Sequence, residues 1–294
     1  MSGLHGHYHT VIFVDNEFST IPYDALPGVH AQVLEIINNP NLTTIESGFF
    51  TETASPTHTI FMTSNPSLED FPFEDLENFH SLSTFTLIGS NVTEIPSNST
   101  WSPSIHTISL MGNENLQLIE PFAFSSAHGI RNLEIFGSEN LTISSNGLHS
   151  TSHHAKTLRI DMPSYFESNA FGTFQDSELW TTIDIVTEDF PEDVFRHVLK
   201  SHFENHNSDV FQQSFGDAKV ANCNSCDIAW LYQDAQNFGL DQYRNIVGEN
   251  NVLCPEIGPV LTTEDQDFIQ LMESCPGKKI DLLRNFFSKP NFRD

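Results

Sequence analysis

The sequence predicts an α/β repeat solenoid. Short strands stack coil upon coil into one curved parallel sheet, and a disulfide-stapled cap closes the C-terminal end. Three observations predict it. One apolar spacing recurs eight times along the chain, and a turn position rich in Asn follows it at a fixed distance. All four cysteines lie in the last quarter of the 294 residues.

The clearest copy of the unit is residues 105–124, IHTISLMGNENLQLIEPFAF. Ile108 and Leu110 flank the polar Ser109, as a strand with one buried face requires. Asn113 follows, then Leu116, Ile119 and Phe122 at threes. This is L-x-x-L-x-L-x-x-N-x-x-L, the unit of a leucine-rich repeat.

With the second apolar position as anchor, copies fall at Val11, Leu34, Ile60, Phe85, Ile108, Leu133, Leu158 and Ile183, in steps of 23 to 26 residues. Such repeats run to roughly 20–29 residues. Two residues past each anchor stand Phe13, Ile36, Met62, Leu87, Leu110, Ile135, Ile160 and Ile185. Five past it stand Asn16, Asn39, Asn65, Ser90, Asn113, Ser138, Pro163 and Glu188. Seven or eight past it stand Phe18, Leu42, Leu68, Val92, Leu116, Leu141, Phe166 and Phe190.

One such coil cannot bury its own apolar side, so its stability depends on contacts with neighbouring coils. The Asn column is expected to satisfy backbone groups that the turn leaves unpaired, as a ladder. Ser does part of this, while Pro163 and Glu188 predict irregular turns. Phe49, Phe50, Phe79, Phe122, Phe124, Phe171 and Phe174 are placed for an aromatic spine on the convex side.

Charge narrows the partners. Asp and Glu number 39 against 12 Lys and Arg, a net charge of −27. Such a surface repels phosphate, which argues against nucleic acid and anionic membrane. No run of about 18 apolar residues is present to span a bilayer.

Along the chain, residues 1–8 read as a tail whose His5 and His7, with His9 just beyond, are exposed. Residues 9–205 read as about eight repeats and 206–294 as a C-terminal flanking cap and tail. A short helix over 190–199 is expected to end the regular stack; the pattern of 200–222 is ambiguous, with one more degenerate turn as one reading. The tail from Lys278 carries five basic residues, Lys278, Lys279, Arg284, Lys289 and Arg293, and reads as a solvated end. Residues 1–8 hold no leader pattern and no capping cysteines, so an upstream segment with both is expected.

Two features point outside the cell. Asn41, Asn91, Asn98 and Asn140 each begin an N-x-[ST] acceptor. Asn41 and Asn140 share one phase of the repeat, beyond the strand. Cys223, Cys226, Cys254 and Cys275 read as staples of an end cap. A zinc site at Cys223-x-x-Cys226 is the competing reading, and four cysteines allow three pairings.

Alternation sends the residues around each anchor onto the concave face. The row before the anchors is Thr10, Val33, Thr59, Thr84, Thr107, Asn132, Thr157 and Thr182. The row after them is Ile12, Glu35, Phe61, Thr86, Ser109, Glu134, Arg159 and Asp184. Three past them stand Val14, Ile37, Thr63, Ile88, Met111, Phe136, Asp161 and Val186. An exposed apolar stripe marks a contact surface. The expected protein-binding residues are Ile37, Phe61, Ile88, Met111, Glu134, Phe136 and Arg159, facing a protein partner or a second copy. Loops folded over the row, or an inward turn at the strand end, are the competing readings.

Two motifs carry a closer resemblance. The segment Phe190-Pro-Glu-Asp-Val-Phe-Arg-His-Val-Leu199 and the cap Cys226-Asp-Ile-Ala-Trp-Leu231 resemble secreted arthropod proteins similar to the non-catalytic subunit of Oplophorus-type luciferin monooxygenase. The cap start resembles that of extracellular leucine-rich repeat proteins, in which the first cysteine pairs with the third and the second with the fourth. That resemblance implies Cys223–Cys254 and Cys226–Cys275, with Trp230 packed on the last repeat.

No catalytic motif is present: no G-x-S-x-G, no Walker loop, no H-E-x-x-H and no G-x-G-x-x-G. The reading is therefore a secreted, glycosylated binding protein without cofactor or metal, the non-catalytic companion of another secreted protein. The alternative is a receptor, adhesion or innate-immune ectodomain without its anchor.

Overall fold

The computed structural model describes residues 6–53, 56–97, 99–138, 140–152, 156–161, 165–172, 180–187, 193–194, 196, 219–220, 253–254 and 258–259. Eight strands of the wide sheet follow the anchors in order: β1 (Gly6–Val14), β2 (Val29–Ile37), β3 (Thr59–Asn65), β4 (Thr84–Ser90), β5 (Thr107–Met111), β6 (Asn132–Phe136), β7 (Lys156–Asp161) and β8 (Trp180–Thr187). Each pairs in parallel with the next, and three short strands extend the sheet: β9 (Lys219–Val220), β10 (Leu253–Cys254) and β11 (Gly258–Pro259). β8, β9 and β10 are parallel, and β11 turns back antiparallel on β10. The sheet thus runs on past residue 205.

The anchors meet one another across the sheet: Val11 beside Leu34, Leu34 beside Ile60, Ile60 beside Phe85, and on to Leu158 beside Ile183. The protein is a parallel β-solenoid of stacked coils. From Leu34 to Leu158 the anchors are buried, as are their partners from Ile36 to Ile160. This apolar burial, at about 25 cal/mol per Å² removed from water, is the main stabilising term.

The return legs differ from an α/β repeat. Regular helix is confined to α1 (Phe49–Thr53), a 3-10 turn at Phe73–Asn78 and the residues near Val194, among the described residues. Two-residue strands do the work instead: Thr20–Ile21 pairs with Thr44–Ile45, and Glu94–Ile95, Leu118–Ile119, Thr142–Ile143 and Tyr165–Phe166 form a second parallel ladder. The physical reason is that each leg has room for one buried Ile or Phe between turns. Extended backbone carries that side chain from coil to coil with its bonds satisfied.

This second ladder is interrupted at the third coil, which keeps a single bridge, Thr44 to Asp70, with the second. Elsewhere the residue after the buried apolar one donates its N–H to the preceding coil, as Glu46 does to Ile21, Glu120 to Ile95 and Ser144 to Ile119. The third and fourth coils have Pro72 and Pro96 there. Proline has no N–H, so the bonds to Ile45 and to Phe71 cannot form.

The turn column behaves as a ladder. Asn39 Oδ1 accepts from the Asn16 N–H at 3.0 Å, and its Nδ2 donates to the Phe13 and Ile37 carbonyls at 3.1 Å. Asn65 Oδ1 accepts from the Asn39 N–H, and Asn113 Oδ1 from the Ser90 N–H and hydroxyl. Ser138 donates to the Asn113 carbonyl. One residue earlier lies a column of left-handed backbone: Asp15, Asn38, Ser64, Gly89, Gly112 and Gly137, all with φ between 52° and 75°. That turn drives the next side chain inward. Gly, Asn and Asp enter this region at the lowest cost.

An aromatic chain crosses the core. Phe49 meets Phe50 at 5.0 Å, Phe50 meets Phe71 at 5.5 Å, Phe71 meets Phe85 at 5.4 Å, Phe85 meets Trp101 at 5.5 Å and Trp101 meets Phe124 at 5.8 Å. Phe79 and Phe171 are buried as the spacing requires, and Phe174 lies outside the described residues.

Phe122 does not join the spine. It is 45% exposed, with φ of 63°, and lies edge-on to His149. Its N–H donates to Asn146, whose N–H donates to Asn169, and both asparagines share the left-handed conformation. The turn therefore points the ring outward. Left-handed backbone costs an L-residue about 1–2 kcal/mol. Phe122→Asn is expected to raise the unfolding free energy by about 0.5–1 kcal/mol in urea denaturation. A loss of stability would show that ring packing outweighs the strain.

The amino-terminal tail also begins differently. Gly6–Tyr8 belong to β1, paired with Val29–Ala31, and the His7 ring stacks on His30 at 5.0 Å. Tyr8 packs against the core, which is why these residues join the strand.

Candidate functional site

The outer face of the wide sheet holds most of the expected contact residues. Register sets Ile37 beside Thr63, Thr63 beside Ile88, Ile88 beside Met111 and Met111 beside Phe136. These side chains form one row, a strand spacing of about 4.8 Å apart. Ile37, Ile88, Met111, Phe136 and Phe61 are all half-buried. Each covers part of its neighbour and keeps part open. Val14, which begins the row, is exposed.

From Glu35 on, the adjacent row is polar apart from Phe61. Glu35, Phe61, Thr86, Ser109, Glu134 and Arg159 stand in register. Ser109 donates to Glu134 Oε2 at 3.2 Å, and Arg159 Nη1 approaches Glu134 Oε1 at 3.4 Å. The ion pair is largely exposed, so its worth is at most about 1 kcal/mol. It orients the two side chains more than it stabilises the fold. The face thus presents an apolar row flanked by an anchored carboxylate and a guanidinium.

Several acidic residues have structural work. Glu46, Glu120 and Glu167 each accept a backbone N–H from the preceding coil, from Tyr23 at 3.1 Å, Ser97 at 2.8 Å and Ser145 at 2.9 Å. Asp75 accepts the Gly48 N–H at 2.5 Å beside the start of α1. Burial raises the Asp75 pKa above the usual Asp value; the Gly48 bond opposes this and the nearby Glu74 carboxylate adds to it. Each glutamate clamp reaches one coil back, but the column between them holds Pro72, Pro96 and Ser144, so no regular recurrence marks the clamps in the sequence.

The interruption in the second ladder opens a cleft of about 410 Å³, lined by Glu46, Glu69, Asp70, Phe71, Pro72, Glu74, Glu94 and Pro96 among others. Its carboxylates are partly committed: Asp70 accepts from Thr44 and Glu69 from Asn91. No group of three metal-ligating side chains occurs among the described residues.

The sequons divide. Asn41 and Asn140 are exposed. Asn91 is half-buried and bonded to Glu69 and Asn115, and Asn98 lies outside the described residues. So do Cys223, Cys226 and Cys275, the helix expected over most of 190–199, and Trp230. Cys254 is described as the end of β10 alone, so neither Cys223–Cys254 nor Cys226–Cys275 is placed. No described helix is long and apolar enough to cross a membrane. Compared with family models and with curated proteins, the chain matches neither.

Proposed function

We propose that the chain is a leucine-rich repeat protein that acts by binding another protein across the outer face of its sheet. The carrying observation is the row Ile37, Thr63, Ile88, Met111 and Phe136, apolar but for Thr63 and only partly covered on consecutive strands. A parallel sheet face has no internal need for such a row, because its core lies on the other side. Side chains that stay half open in register offer a preassembled surface at low ordering cost. The repeat reading is supported by the coincidence of anchors, Asn ladder and coil period. The acidic clamps and the lack of a catalytic motif favour binding over chemistry. The four sequons and the clustered cysteines fit an extracellular setting, in which the chain is the non-catalytic companion of a secreted protein.

The double variant Phe136→Asp with Met111→Asp tests the face. From the fluid into which the protein is secreted, the wild-type chain is expected to retain one stoichiometric partner protein, and the variant at least about tenfold less of it, or about 1.4 kcal/mol of binding. The variant's thermal melt should stay close to wild type. Equal retention by a folded variant would remove the row from the interface.

A further inference from the structure

Charge along the solenoid is segregated by phase of the coil. The seven residues before each of the first seven anchors hold ten of the eleven histidines that precede residue 160. They also hold Arg131 and Lys156, the only Lys or Arg before Arg159. They contain no Asp or Glu, although eighteen carboxylates stand between residues 15 and 167. Stacking brings these segments together as one rim, where the strands of the wide sheet begin. Backbone bonds join them coil by coil: the His58 N–H donates to Gln32, Ser83 to His58, His106 to Ser83 and Arg131 to His106, at 2.8–2.9 Å. His58, His80, His128 and Arg131 are exposed, and His30 and His106 are half-buried.

Hydrogen bonds fix how two of these imidazoles carry their protons. His58 Nδ1 lies 3.1 Å from the Ser81 carbonyl, which can only accept, so Nδ1 donates. His128 Nδ1 lies 2.6 Å from Thr151 Oγ1, whose own hydrogen goes to the Ser125 carbonyl at 2.9 Å, so Nδ1 donates again. The second proton of each ring then goes to Nε2, and both bonds survive it. Imidazole is the side chain that gains its charge between about pH 8 and 5. Above that window the segments carry only the charges of Arg131 and Lys156; below it every histidine adds one. The groups bonded to His58 and His128 from neighbouring coils are Gln32, Ser81, Ser83 and Thr151, none of which titrates. His30 is faced by the His7 ring at 5.0 Å. Carboxylates return on either side: Glu35 and Glu134 along the strands, and Asp24, Glu52, Glu77, Glu94 and Glu120 on the return legs.

We infer that this rim binds an extended anionic polysaccharide, one bearing sulfate or carboxylate groups, once the pH falls below neutral. Its cations follow one another at the coil spacing, about 4.8 Å. One sugar of an extended polysaccharide advances by nearly that length. An extended acidic peptide repeats its same-side charges at about 6.7 Å instead. A duplex or a bilayer is broader than the rim and meets the carboxylates on both sides. From His30 to Arg131 the rim spans four coil spacings, about 20 Å, so several sugars are gripped at once. Each contact is weak alone, and contacts linked through one chain reinforce each other. At physiological salt the Debye length is about 8 Å, so the rim answers mainly to its own charges and less to the net −27 of the chain. The rim lies where the strands begin and the row from Ile37 to Phe136 where they end, so the two surfaces hold separate partners.

The test is calorimetric titration of the full chain with a heparin oligosaccharide, against uncharged dextran as control. Heparin affinity is expected to rise at least about tenfold between about pH 7.5 and about pH 5.5, and dextran should bind at neither. His58→Asn with His128→Asn puts an amide where each Nδ1 stood, which keeps both hydrogen bonds and removes the titrating rings. It should lose at least about tenfold of the affinity at about pH 5.5, with the melt preserved. In NMR the His58 and His128 imidazole signals should shift when heparin is added, a readout that needs no variant. Phe136→Asp with Met111→Asp should bind heparin as wild type does, which separates the rim from the protein-binding face. Equal heparin affinity at the two pH values would overturn the inference. So would full affinity in the folded histidine variant, its loss in the Phe136 and Met111 variant, or imidazole signals that heparin leaves in place. Equally tight binding of polyglutamate or single-stranded DNA would overturn the assignment to a polysaccharide.

Discussion

Phe85→Ala is expected to lower the unfolding free energy by about 3–5 kcal/mol. The ring is fully buried and meets Phe71, Phe73 and Trp101 at 5.4, 6.4 and 5.5 Å. Phe71 and Phe73 lie in the preceding coil and Trp101 in the same coil, so removing the ring loosens the interface with the coil before. In a stacked array stability is close to a sum of neighbour terms, and the loss is felt locally. Amide exchange should quicken most in β3 and β4 and least in β7. A uniform increase along the chain would mean that the array unfolds as one cooperative unit.

Asn39→Ala should cost about 3 kcal/mol, since each buried group left unpaired is worth about 1–3 kcal/mol. The Asn39 side chain is fully buried and serves the Asn16 N–H, the Phe13 carbonyl and the Ile37 carbonyl. All three bonds are part-buried, so water recovers a share of what the variant loses. Asn39→Ser keeps one hydroxyl at a column position where Ser90 and Ser138 already serve. It should recover about half the loss. Asn39→Asp keeps the acceptor but loses both donors and should fall as far as Ala. Urea titration of the three variants reads this order. Equal stability of the Ala variant and wild type would show that the ladder is ornamental.

The stacking was legible because three columns repeat with an alternation of two inside each strand. That signal is carried by side-chain class, which a sequence displays directly. The left-handed column was hidden because Asp15, Asn38, Ser64, Gly89, Gly112 and Gly137 share a backbone angle and no single side-chain class. Phe122 had the right spacing for the spine, yet the turn it occupies sends the ring outward. The return-leg strands escaped because two residues carry no periodicity. The carboxylate clamps read as ordinary surface charge, since their purpose lies in the N–H groups of the coil before. The row Ile37, Ile88, Met111, Phe136 followed from alternation alone.

Pro72 and Pro96 have a mechanical effect. A rod sewn along two seams resists bending at every stitch. Here the narrow seam misses one stitch on each side of the third coil, at Pro72 and Pro96, and across that gap the wide sheet, the buried rings of Phe71 and Phe85 and the bond from the Thr100 N–H to the Phe73 carbonyl hold the coils together.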